Sequence, residues 1–412
     1  IVIGRDGRST GLIIKNIIIS TLQCMNVNVI DIDYTTTPTI EMAITRFNSD
    51  GGIMISASHY PMQWNALKLF NENGEFIDAE DGKKIKQLAE NKSFTYSEYT
   101  HIGKVEQCND MIEYHIDKIL ALPYIDVQAI KDADFKVGID VINSTGSISV
   151  PQLLTRLGVK SENIFIENGN MDGEFAHNPE PLASHLVDLS KTITDNRCDI
   201  GIAVDPDVDR LAFMSENGEY FGEEYTLVAC SDYMLSIKQG NTVSNLSSSR
   251  ALRDITNEHG GNYSASAVGE VNVVKKMKDT NAVIGGEGNG GIILPDLHYG
   301  RDALVGIALM LSYLAKNKTK MSELRKKYPE YFMAKNKVTI NKNTNFDTIK
   351  LKVKSAVKGV YNEEDGLKID FENSWVHLRT SNTEPIIRVY SEAKSVEEAE
   401  NLSKHIIRII ES

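Results

Sequence analysis

The chain has 412 residues, of which 41% are hydrophobic and 25% charged, and its formal net charge is −13 at pH 7. This composition is typical of a soluble globular protein with roughly three domains, give or take one. The negative charge argues against a nucleic-acid partner, because a phosphate backbone needs a basic protein surface. No apolar run is long enough to span a bilayer and the amino end does not resemble a signal peptide, so we expect no membrane partner and a cytoplasmic location.

The four cysteines, Cys24, Cys108, Cys198 and Cys230, are widely spaced along the chain. Their spacing fits neither a metal site nor a redox pair. We therefore expect them to be reduced residues of the core.

Strand and helix patterns alternate from the amino end. Residues 1–4, 27–33 and 52–56 are predicted strands, and the segments 12–25 and 39–47 between them are predicted helices. Helix 12–25 has apolar residues on more than one face, which predicts a buried layer. The alternation is typical of an α/β domain with a largely parallel sheet. Because the chain opens on a strand, IVIGRDG, we expect that further residues precede Ile1 in the full protein.

The opening scheme of strand, Ser- or Gly-rich turn and helix recurs twice, from residue 135 to 157 and from 241 to 259. A sharper repeat joins residues 69–77 (LFNENGEFI) and 213–221 (FMSENGEYF), which both predict hairpins with an Asn-Gly turn. Duplicated α/β units explain the repeat, and a chance match of two hairpins is the alternative. After Pro329 the predicted strands cluster at 332–340, 367–371, 375–378 and 386–390, before a helix at 396–410; this predicts a small antiparallel α+β domain.

The segment DPDVDR places three carboxylates, Asp205, Asp207 and Asp209, at every second position after a buried strand. In extended geometry they share one face, where their repulsion needs a cation, and hard oxygen ligands suit magnesium. Arg210 adds a permanently charged, planar guanidinium group that can bind a phosphate or carboxylate. The alternative is an Asp-rich surface turn in which Pro206 is the turn former.

The segment SASHYP follows another buried strand, the usual place for a ligand in an α/β sheet, and it carries Ser58 and His59. A serine nucleophile needs a neighbouring base or cation, and Lys68 nearby could hold a phosphate. A polar loop without a catalytic role and an exposed lysine are the alternatives.

Two later loops offer groups that bind sugars and phosphates. Glu287 and Asn289 project from GGEGNGG, and a carboxylate with an amide suits sugar hydroxyls, although a simple glycine-rich turn is as consistent with the sequence. RTSNTEPIIR forms a predicted anion nest in which hydroxyls and amides lie between two arginines. It packs Thr380, Ser381, Asn382 and Thr383 between Arg379 and Arg388, which suits a phosphate.

In this order the four loops resemble those of the α-D-phosphohexomutase superfamily. The resemblance covers nearly the whole chain: SASHYP is similar to the family's phosphoserine loop, DPDVDR to its metal loop, GEGNG to its sugar loop and RTSNTEP to its phosphate loop. It implies a phosphorylated Ser58, magnesium held by Ser58 and the three aspartates, and Lys68 and Arg210 in the catalytic centre. It also implies that Glu287 and Asn289 face the sugar hydroxyls and that the distal phosphate is bound by Arg379, Ser381, Asn382, Thr383 and Arg388. His59 or Lys68 is our candidate for the general base.

The resemblance also implies three similar α/β domains with mixed, largely parallel sheets and a smaller carboxyl-terminal α+β domain around a central cleft. With proline joints at Leu122-Pro123 and Tyr328-Pro329, the predicted domains are 1–122, 123–220, 221–328 and 329–412. Three residues depart from the family pattern: Tyr60 after His59, Pro206 in the metal loop, and Gly291 where many relatives carry a histidine.

The implied reaction moves a phosphoryl group between the 6- and 1-positions of a hexose phosphate through hexose 1,6-bisphosphate. Glucosamine phosphate is the favoured substrate, and phosphomannomutase or phosphoglucomutase specificity is the alternative. Two other classes stay open: a phosphatase with Asp205 or Asp207 as the nucleophile, and a sugar-phosphate-binding protein without turnover. A monomer and a homodimer are both compatible with the sequence.

Overall fold

The computed structural model describes residues 1–340, 345–381 and 385–412. Within these residues the strands form four separate sheets, of which three are mixed and mostly parallel and the last is antiparallel throughout. The predicted fold class, three similar α/β domains followed by an α+β domain, is confirmed.

The first sheet begins the chain and is flanked by helices. Its elements are β1 (Val2–Arg5), α1 (Gly11–Cys24), β2 (Val29–Tyr34), α2 (Thr37–Arg46), β3 (Gly52–Ile55), β4 (Leu67–Phe70), α3 (Ala79–Glu90), β5 (Val105–Gln107) and α4 (Met111–Leu120). The strand order is β4-β3-β1-β2-β5, in which only β3 and β4 pair antiparallel.

The second sheet has the order β7-β6-β8-β9, again with one antiparallel pair, β8 with β9. This part of the chain comprises α5 (Val127–Ala133), β6 (Val137–Asp140), α6 (Gly146–Arg156), β7 (Ile164–Glu167), α7 (Val187–Asn196), β8 (Ile200–Val204) and β9 (Leu211–Ser215).

The third sheet has the order β11-β10-β12-β13, and β12 pairs antiparallel with β13. This part comprises α8 (Glu223–Ile237), β10 (Asn241–Asn245), α9 (Ala251–Glu258), β11 (Tyr263–Ser266), α10 (Glu270–Thr280), β12 (Ala282–Glu287), β13 (Gly291–Ile293), α11 (Ala303–Asn317) and α12 (Met321–Arg325).

The last sheet has the order β14-β18-β17-β16-β15, with α14 packed against β14 and β18 and α13 packed against α14. This part comprises β14 (Phe332–Thr339), α13 (Phe346–Ala356), β15 (Val360–Asn362), β16 (Leu367–Asp370), β17 (Trp375–Thr380), β18 (Ile386–Ala393) and α14 (Val396–Glu411).

The loops that carry chemistry occupy equivalent places in the three mixed sheets. In each sheet an inner strand runs parallel to its neighbour and then turns back into an antiparallel edge strand, as β3 does into β4, β8 into β9 and β12 into β13. The turns that follow β4 and β9 are matched as well, because Phe70 pairs with Phe76 and Met214 with Tyr220. The predicted duplication of α/β units is therefore confirmed, and it places one polar loop at the same edge of each sheet.

The largest hydrophobic core lies between the second and third sheets and is organised around α11, which is apolar along its whole length and buried from Ala303 to Leu314. Asp302 begins this helix, since its side chain accepts hydrogen bonds from the backbone amides of Leu304 and Val305. This packing fixes two domains against each other next to the metal loop.

Two expectations about burial are wrong. Helix α1 covers only one face of the first sheet: Ile14 and Ile18 pack against the sheet, whereas Ile13 and Ile17 are exposed, so the helix is a surface element rather than a buried layer. Among the cysteines all four are free thiols, but Cys24 is exposed and only Cys198 and Cys230 are fully buried. No helix among the described residues is long and apolar enough to cross a bilayer.

A buried polar network joins α2 to the segment that precedes α11. The imidazole of His298 lies 3.3 Å from Asp302 and 3.1 Å from Glu41, and His115 lies 2.8 Å from Asp302. Burial would lower the pKa of His298, but Asp302 and Glu41 outweigh burial and raise it to about 10, so the imidazole is charged at neutral pH.

We expect this network to make stability fall with rising pH. The pKa of His298 is higher in the folded than in the unfolded protein, so its contribution is complete below about pH 6.5 and is lost as the pH rises towards 10. Burial raises the pKa of Glu41 to about 8, which acts in the same direction. Between pH 6.5 and 9 the loss should reach about 2 kcal/mol, since one proton contributes at most about 1.4 kcal/mol per pH unit. Calorimetric melting of His298→Gln beside the wild type checks this: the variant should have the shallower pH profile, and parallel profiles would contradict it.

Candidate active site

The polar loops of all four domains converge on one cleft of about 350 Å³. Its lining includes six residues predicted from the sequence: His59, Arg210, Glu287, Asn289, Arg379 and Arg388. His59, Arg210 and Asn289 lie in the β3–β4, β8–β9 and β12–β13 connections, whereas Glu287 ends β12 and the two arginines lie on β17 and β18. The structure therefore brings together side chains that lie up to 329 positions apart, by the difference between residues 59 and 388.

The serine loop holds Ser58 in an unusual backbone conformation. Its φ is +48°, in the left-handed region that residues with a side chain seldom adopt. The amide of Ser58 donates to the hydroxyl of Ser56, and Arg8 donates from one guanidinium nitrogen to the carbonyls of Ser58 and Tyr60, at 2.7 and 2.6 Å. Arg8 is completely buried and pairs with Asp6. Strain of this kind persists only where neighbouring groups hold it, and Arg8 does so here.

We expect Arg8→Met to destabilise the protein by about 3–5 kcal/mol, because it leaves Asp6 as an uncompensated buried charge, and to lower kcat, because it releases the Ser58 loop. The double variant Arg8→Met/Asp6→Asn separates the two effects. It should recover part of the melting temperature but not kcat. Recovery of both would show that Arg8 acts on the fold alone.

The hydroxyl of Ser58 faces the metal loop. Its oxygen donates to Asp205 Oδ2 at 2.7 Å and lies 3.4 Å from Nδ1 of His59. Burial, together with the cation Arg210, lowers the pKa of His59 to about 4, so this imidazole is neutral at pH 7. The loop therefore presents a hydroxyl with a neutral nitrogen beside it.

The three aspartates of the metal loop share one buried face. Asp205, Asp207 and Asp209 are fully buried, and their ligand atoms lie within 4.8 Å of one another. The other oxygen of Asp205 accepts hydrogen bonds from the amides of Asp209 and Arg210, both at 3.1 Å. The alternative of a surface turn is thereby excluded.

Pro206 and Val208 shape the backbone of this loop. The carbonyl of Pro206 accepts hydrogen bonds from Ser144 and Thr145, at 2.6 and 2.9 Å, so Pro206 is anchored to the start of α6. Val208 has a φ of +62°, which is rare for a β-branched residue and indicates a loop held against strain.

The donor set fits a hard divalent cation. Asp207 Oδ1 and Asp209 Oδ1 are buried and have no hydrogen-bond partner among the described residues. Three converging carboxylates with unpartnered oxygens match the ligands that magnesium prefers. Lys68 places a second positive charge beside these carboxylates, because its Nζ lies 2.5 Å from Asp207 Oδ2 and 2.7 Å from Asp209 Oδ2.

The pKa values of two carboxylates in the metal loop are shifted in opposite directions, that of Asp205 upwards and that of Asp209 downwards. Burial raises the pKa of Asp205 well above its usual range, and Asp209 and Asp207 add to this effect. Burial alone would also raise the pKa of Asp209, but the cations Arg301 and Lys68 hold it below its usual range. Burial would lower the pKa of Lys68, yet Asp207 and Asp209 raise it, so Lys68 remains a cation.

Both oxygens of the Glu287 carboxylate make contacts that hold the sugar loop in place. Oε1 accepts hydrogen bonds from Asn245 and from the amide of Gly269, at 2.9 and 3.1 Å, and Oε2 pairs with Arg301 at 3.0 Å. Asn289 Oδ1 accepts from the amide of Gly291 at 3.2 Å. Both predicted sugar ligands thus have defined positions on the cleft wall.

The phosphate loop places its two arginines directly opposite each other on β17 and β18, since Arg379 pairs with Arg388 in the strand register. Like charges at such positions repel, and an anion between them would remove the repulsion. Arg379 also pairs with Asp365 at 2.7 Å, and the amide of Ser381 donates to Ile386. Asn382 and Thr383, also predicted as phosphate ligands, lie outside the described residues.

Several site residues were missed by sequence reasoning. They are Thr37, which donates to Asp207; Glu180, which pairs with Arg210 at 3.1 Å; and Glu270 and Arg301, which pair at 2.9 Å. Their partners lie far away in the sequence, so no local pattern identifies them. The one sequence feature that could have indicated Arg301 is its place in a short charged turn between apolar segments.

Four family models match the chain. They are described as phosphoglucomutase/phosphomannomutase alpha/beta/alpha domain I, at residues 1–96, domain II, at 113–218, and domain III, at 222–331, and as the C-terminal domain, at 337–409. The boundaries that we placed after residues 122, 220 and 328 stay a prediction.

Relatives match along the whole chain. A phosphoglucomutase/phosphomannomutase of Thermococcus kodakarensis is 34% identical over 414 residues, which cover 100% of this chain and 90% of the relative. A phosphoglucosamine/phosphogalactosamine mutase of Sulfurisphaera tokodaii is 31% identical over 424 residues, covering 100% of this chain and 91% of the relative.

Solved structures share the fold. A phosphoglucomutase/phosphomannomutase family protein of Burkholderia thailandensis has a TM-score of 0.85 at 22% identity, covering 99% of this chain and 88% of its own. An N-acetylphosphoglucosamine mutase of Aspergillus fumigatus, solved in complex with GlcNAc-6P and magnesium, has a TM-score of 0.59 at 16% identity, covering 91% of this chain and 92% of its own.

By fold and by sequence relationship the protein is an α-D-phosphohexomutase, an isomerase of carbohydrate metabolism. Within that superfamily the chain belongs to the phosphoglucomutase/phosphomannomutase family. The names of its relatives differ in the hexose that they act on, so the family alone does not select a substrate.

Proposed function

We propose that this phosphohexomutase interconverts glucosamine 6-phosphate and glucosamine 1-phosphate through a phosphorylated Ser58 and a hexose 1,6-bisphosphate. One observation carries the proposal: the Ser58 hydroxyl lies 2.7 Å from Asp205, and its neighbour His59 lines the same cleft as Arg379 and Arg388. A donor site and a second phosphate site thus face each other across a space of sugar size.

In the first half of the reaction, the bond between phosphorus and Ser58 Oγ breaks while a bond forms to the free hydroxyl of the hexose phosphate. The hydroxyl proton passes to a base, for which His59 is the better candidate, because it is neutral whereas the ion pairs of Lys68 keep that residue protonated. Magnesium bound by the aspartates would supply positive charge that neutralises the transferring group.

In the second half the bisphosphate has turned over in the cleft. The bond between its other phosphorus and the sugar oxygen breaks while a bond forms to Ser58 Oγ, and the base returns its proton to the released sugar oxygen. Arg379 and Arg388 hold the phosphate that is not reacting, since two guanidinium groups suit its oxygens in either orientation. Arg210 and Lys68 remain beside the reacting phosphate as fixed cations. The product leaves with its phosphate at the other carbon and Ser58 phosphorylated again.

The choice of an amino sugar is supported by a carboxylate in the cleft. Glu224 lines it next to the sugar loop, accepts a hydrogen bond from the amide of Ser249 at 2.8 Å and has no ion-pair partner within 4.0 Å among residues 1–340, 345–381 and 385–412. Burial raises its pKa to about 8, so Glu224 is mostly protonated at pH 7 when no cation is beside it. A substrate ammonium group would stabilise the ionised carboxylate.

The experiment compares turnover of glucosamine, glucose and mannose 6-phosphates by ³¹P NMR, with Mg²⁺ and the matching 1,6-bisphosphate present. We expect the highest kcat/KM for glucosamine 6-phosphate, and Glu224→Gln should reduce that preference. A strong preference of the wild type for glucose or mannose phosphate would overturn the choice of substrate while leaving the mutase reaction intact.

The rival in which Asp205 or Asp207 is the phosphorylated nucleophile is less well supported. Asp205 is held by the Ser58 hydroxyl and two backbone amides, and Asp207 by Thr37 and Lys68. The hypothesis that the chain is a sugar-phosphate-binding protein without turnover does not agree with its membership in a family of enzymes.

A further inference from the structure

Arg301 lies between the metal loop and the sugar loop and contacts both. Its Nη2 is 2.8 Å from Asp209 Oδ2, and its Nη1 is 3.0 Å from Glu287 Oε2. A third carboxylate also binds Arg301: Glu270 accepts hydrogen bonds from Nε and from the backbone amide of Arg301, at 2.9 and 3.1 Å. Arg301 is only 9% exposed, so these contacts are shielded from water.

This geometry depends on a guanidinium group. Three carboxylates meet three different nitrogens of one planar fork, which a lysine ammonium cannot reproduce. Asp209 uses Oδ2 for Arg301 and for Lys68, while its Oδ1 has no hydrogen-bond partner in the described part of the chain. Arg301 therefore fixes the plane of the Asp209 carboxylate and leaves one oxygen available to a cation.

Gly291 provides the space for this side chain. A Cβ atom at residue 291 would lie 2.3 Å from Cδ of Arg301, much closer than two carbon atoms can approach. The backbone of Gly291 is not in the left-handed region, so the neighbour rather than the conformation requires glycine here. Glycine at residue 291 therefore leaves free the volume that the Arg301 side chain occupies.

We propose that Arg301 is a positioning residue that couples the two loops, so that a cation on the aspartates and a sugar at Glu287 strengthen each other's binding. The inference rests on the proposed function, because it assumes a metal at Asp209 and a sugar at Glu287. Asp209 and Glu287 are held by one rigid group. Ordering of either carboxylate by its ligand then orders the other, and this coupling is reciprocal.

The test is calorimetric titration of the full chain with glucose 6-phosphate, with and without Mg²⁺. In the wild type we expect Mg²⁺ to tighten sugar-phosphate binding at least about fivefold. In Arg301→Lys, which keeps the charge but not the fork, the factor should fall below about twofold. Gly291→Ala should give the same loss, because it displaces Arg301 without removing any charged group.

Gly82→Ala is the matched control, since a Cβ there has no atom within 4 Å. It should keep the coupling of the wild type. If Arg301→Lys does not fold, Gly291→Ala decides alone. Absence of coupling in the wild type, or coupling retained in Gly291→Ala, would overturn the inference. Failure of the proposed function would show separately, as a wild type that binds glucose 6-phosphate but isomerises no hexose phosphate.

Discussion

Ser58→Ala is expected to lower kcat for hexose phosphate isomerisation by at least about 10⁴-fold, because it removes the oxygen that carries the phosphoryl group between the two half-reactions. The Ser58 hydroxyl has one strong contact, to Asp205, so the alanine variant should fold and still bind sugar phosphate. Its melting temperature should change little, because the loop is held through the backbone carbonyls by Arg8 rather than through the Ser58 side chain.

The measurement pairs ³¹P NMR turnover with mapping of the phosphorylated residue. A phosphate on Ser58 resists hydroxylamine, whereas an acyl phosphate on Asp205 or Asp207 is cleaved by it. Ser20→Ala, on the exposed side of α1, is the control and should leave kcat unchanged. Undiminished turnover by Ser58→Ala would end the phosphoserine mechanism, and hydroxylamine-sensitive label would support the aspartyl-phosphate rival.

Asp207→Asn is expected to lower kcat by about 10³-fold and to weaken Mg²⁺ binding at least about tenfold. An amide replaces one of three carboxylates, so the charge that attracts a hard cation falls and the ion pair with Lys68 is lost. In the wild type, Mg²⁺ should raise the melting temperature, since a ligand at about 100 times its Kd stabilises the folded state by about 2.7 kcal/mol. That shift should largely disappear in the variant.

Calorimetric melting with Mg²⁺ or with a chelator checks both effects, and turnover should stop on chelation and return with added Mg²⁺. Asp195→Asn, on the exposed face of α7, is the matched control and should respond to Mg²⁺ like the wild type. Equal Mg²⁺ shifts in Asp207→Asn and the wild type would show that the aspartates do not bind the ion.

The backbone conformation of Ser58 depends on residues outside the serine loop. Ser58 keeps its left-handed backbone because Arg8, some 50 positions earlier, binds two carbonyls of the loop. The sequence motif names the serine, but the geometry that makes it available comes from a buried ion pair in another segment. Arg8 was visible in the sequence only as one residue of the turn GRDGRSTG.

Local patterns predicted the elements that carry the site. The buried strands before the serine and metal loops and the matched turns after β4 and β9 were predicted because burial and Asn-Gly turns act over a few residues. Glu287, which was expected to project from the glycine-rich loop, is instead the last residue of β12. The predicted burial of α1 was wrong because apolar residues around a helix show what it can cover, not how many neighbours the fold provides.

What the sequence by itself determined is therefore the chemistry of each loop: a serine with a histidine, three alternating carboxylates, a glycine-rich turn with an acid and an amide, and two arginines. Only the tertiary structure decided how they combine. Asp209 and Arg301 are 92 positions apart, Ser58 and Asp205 are 147, and such contacts depend on how four sheets pack rather than on any local preference. The physical reason is that backbone periodicity selects the helices and strands, whereas packing of the second and third domains around α11, and of the other two domains beside them, selects which loops line the same cleft.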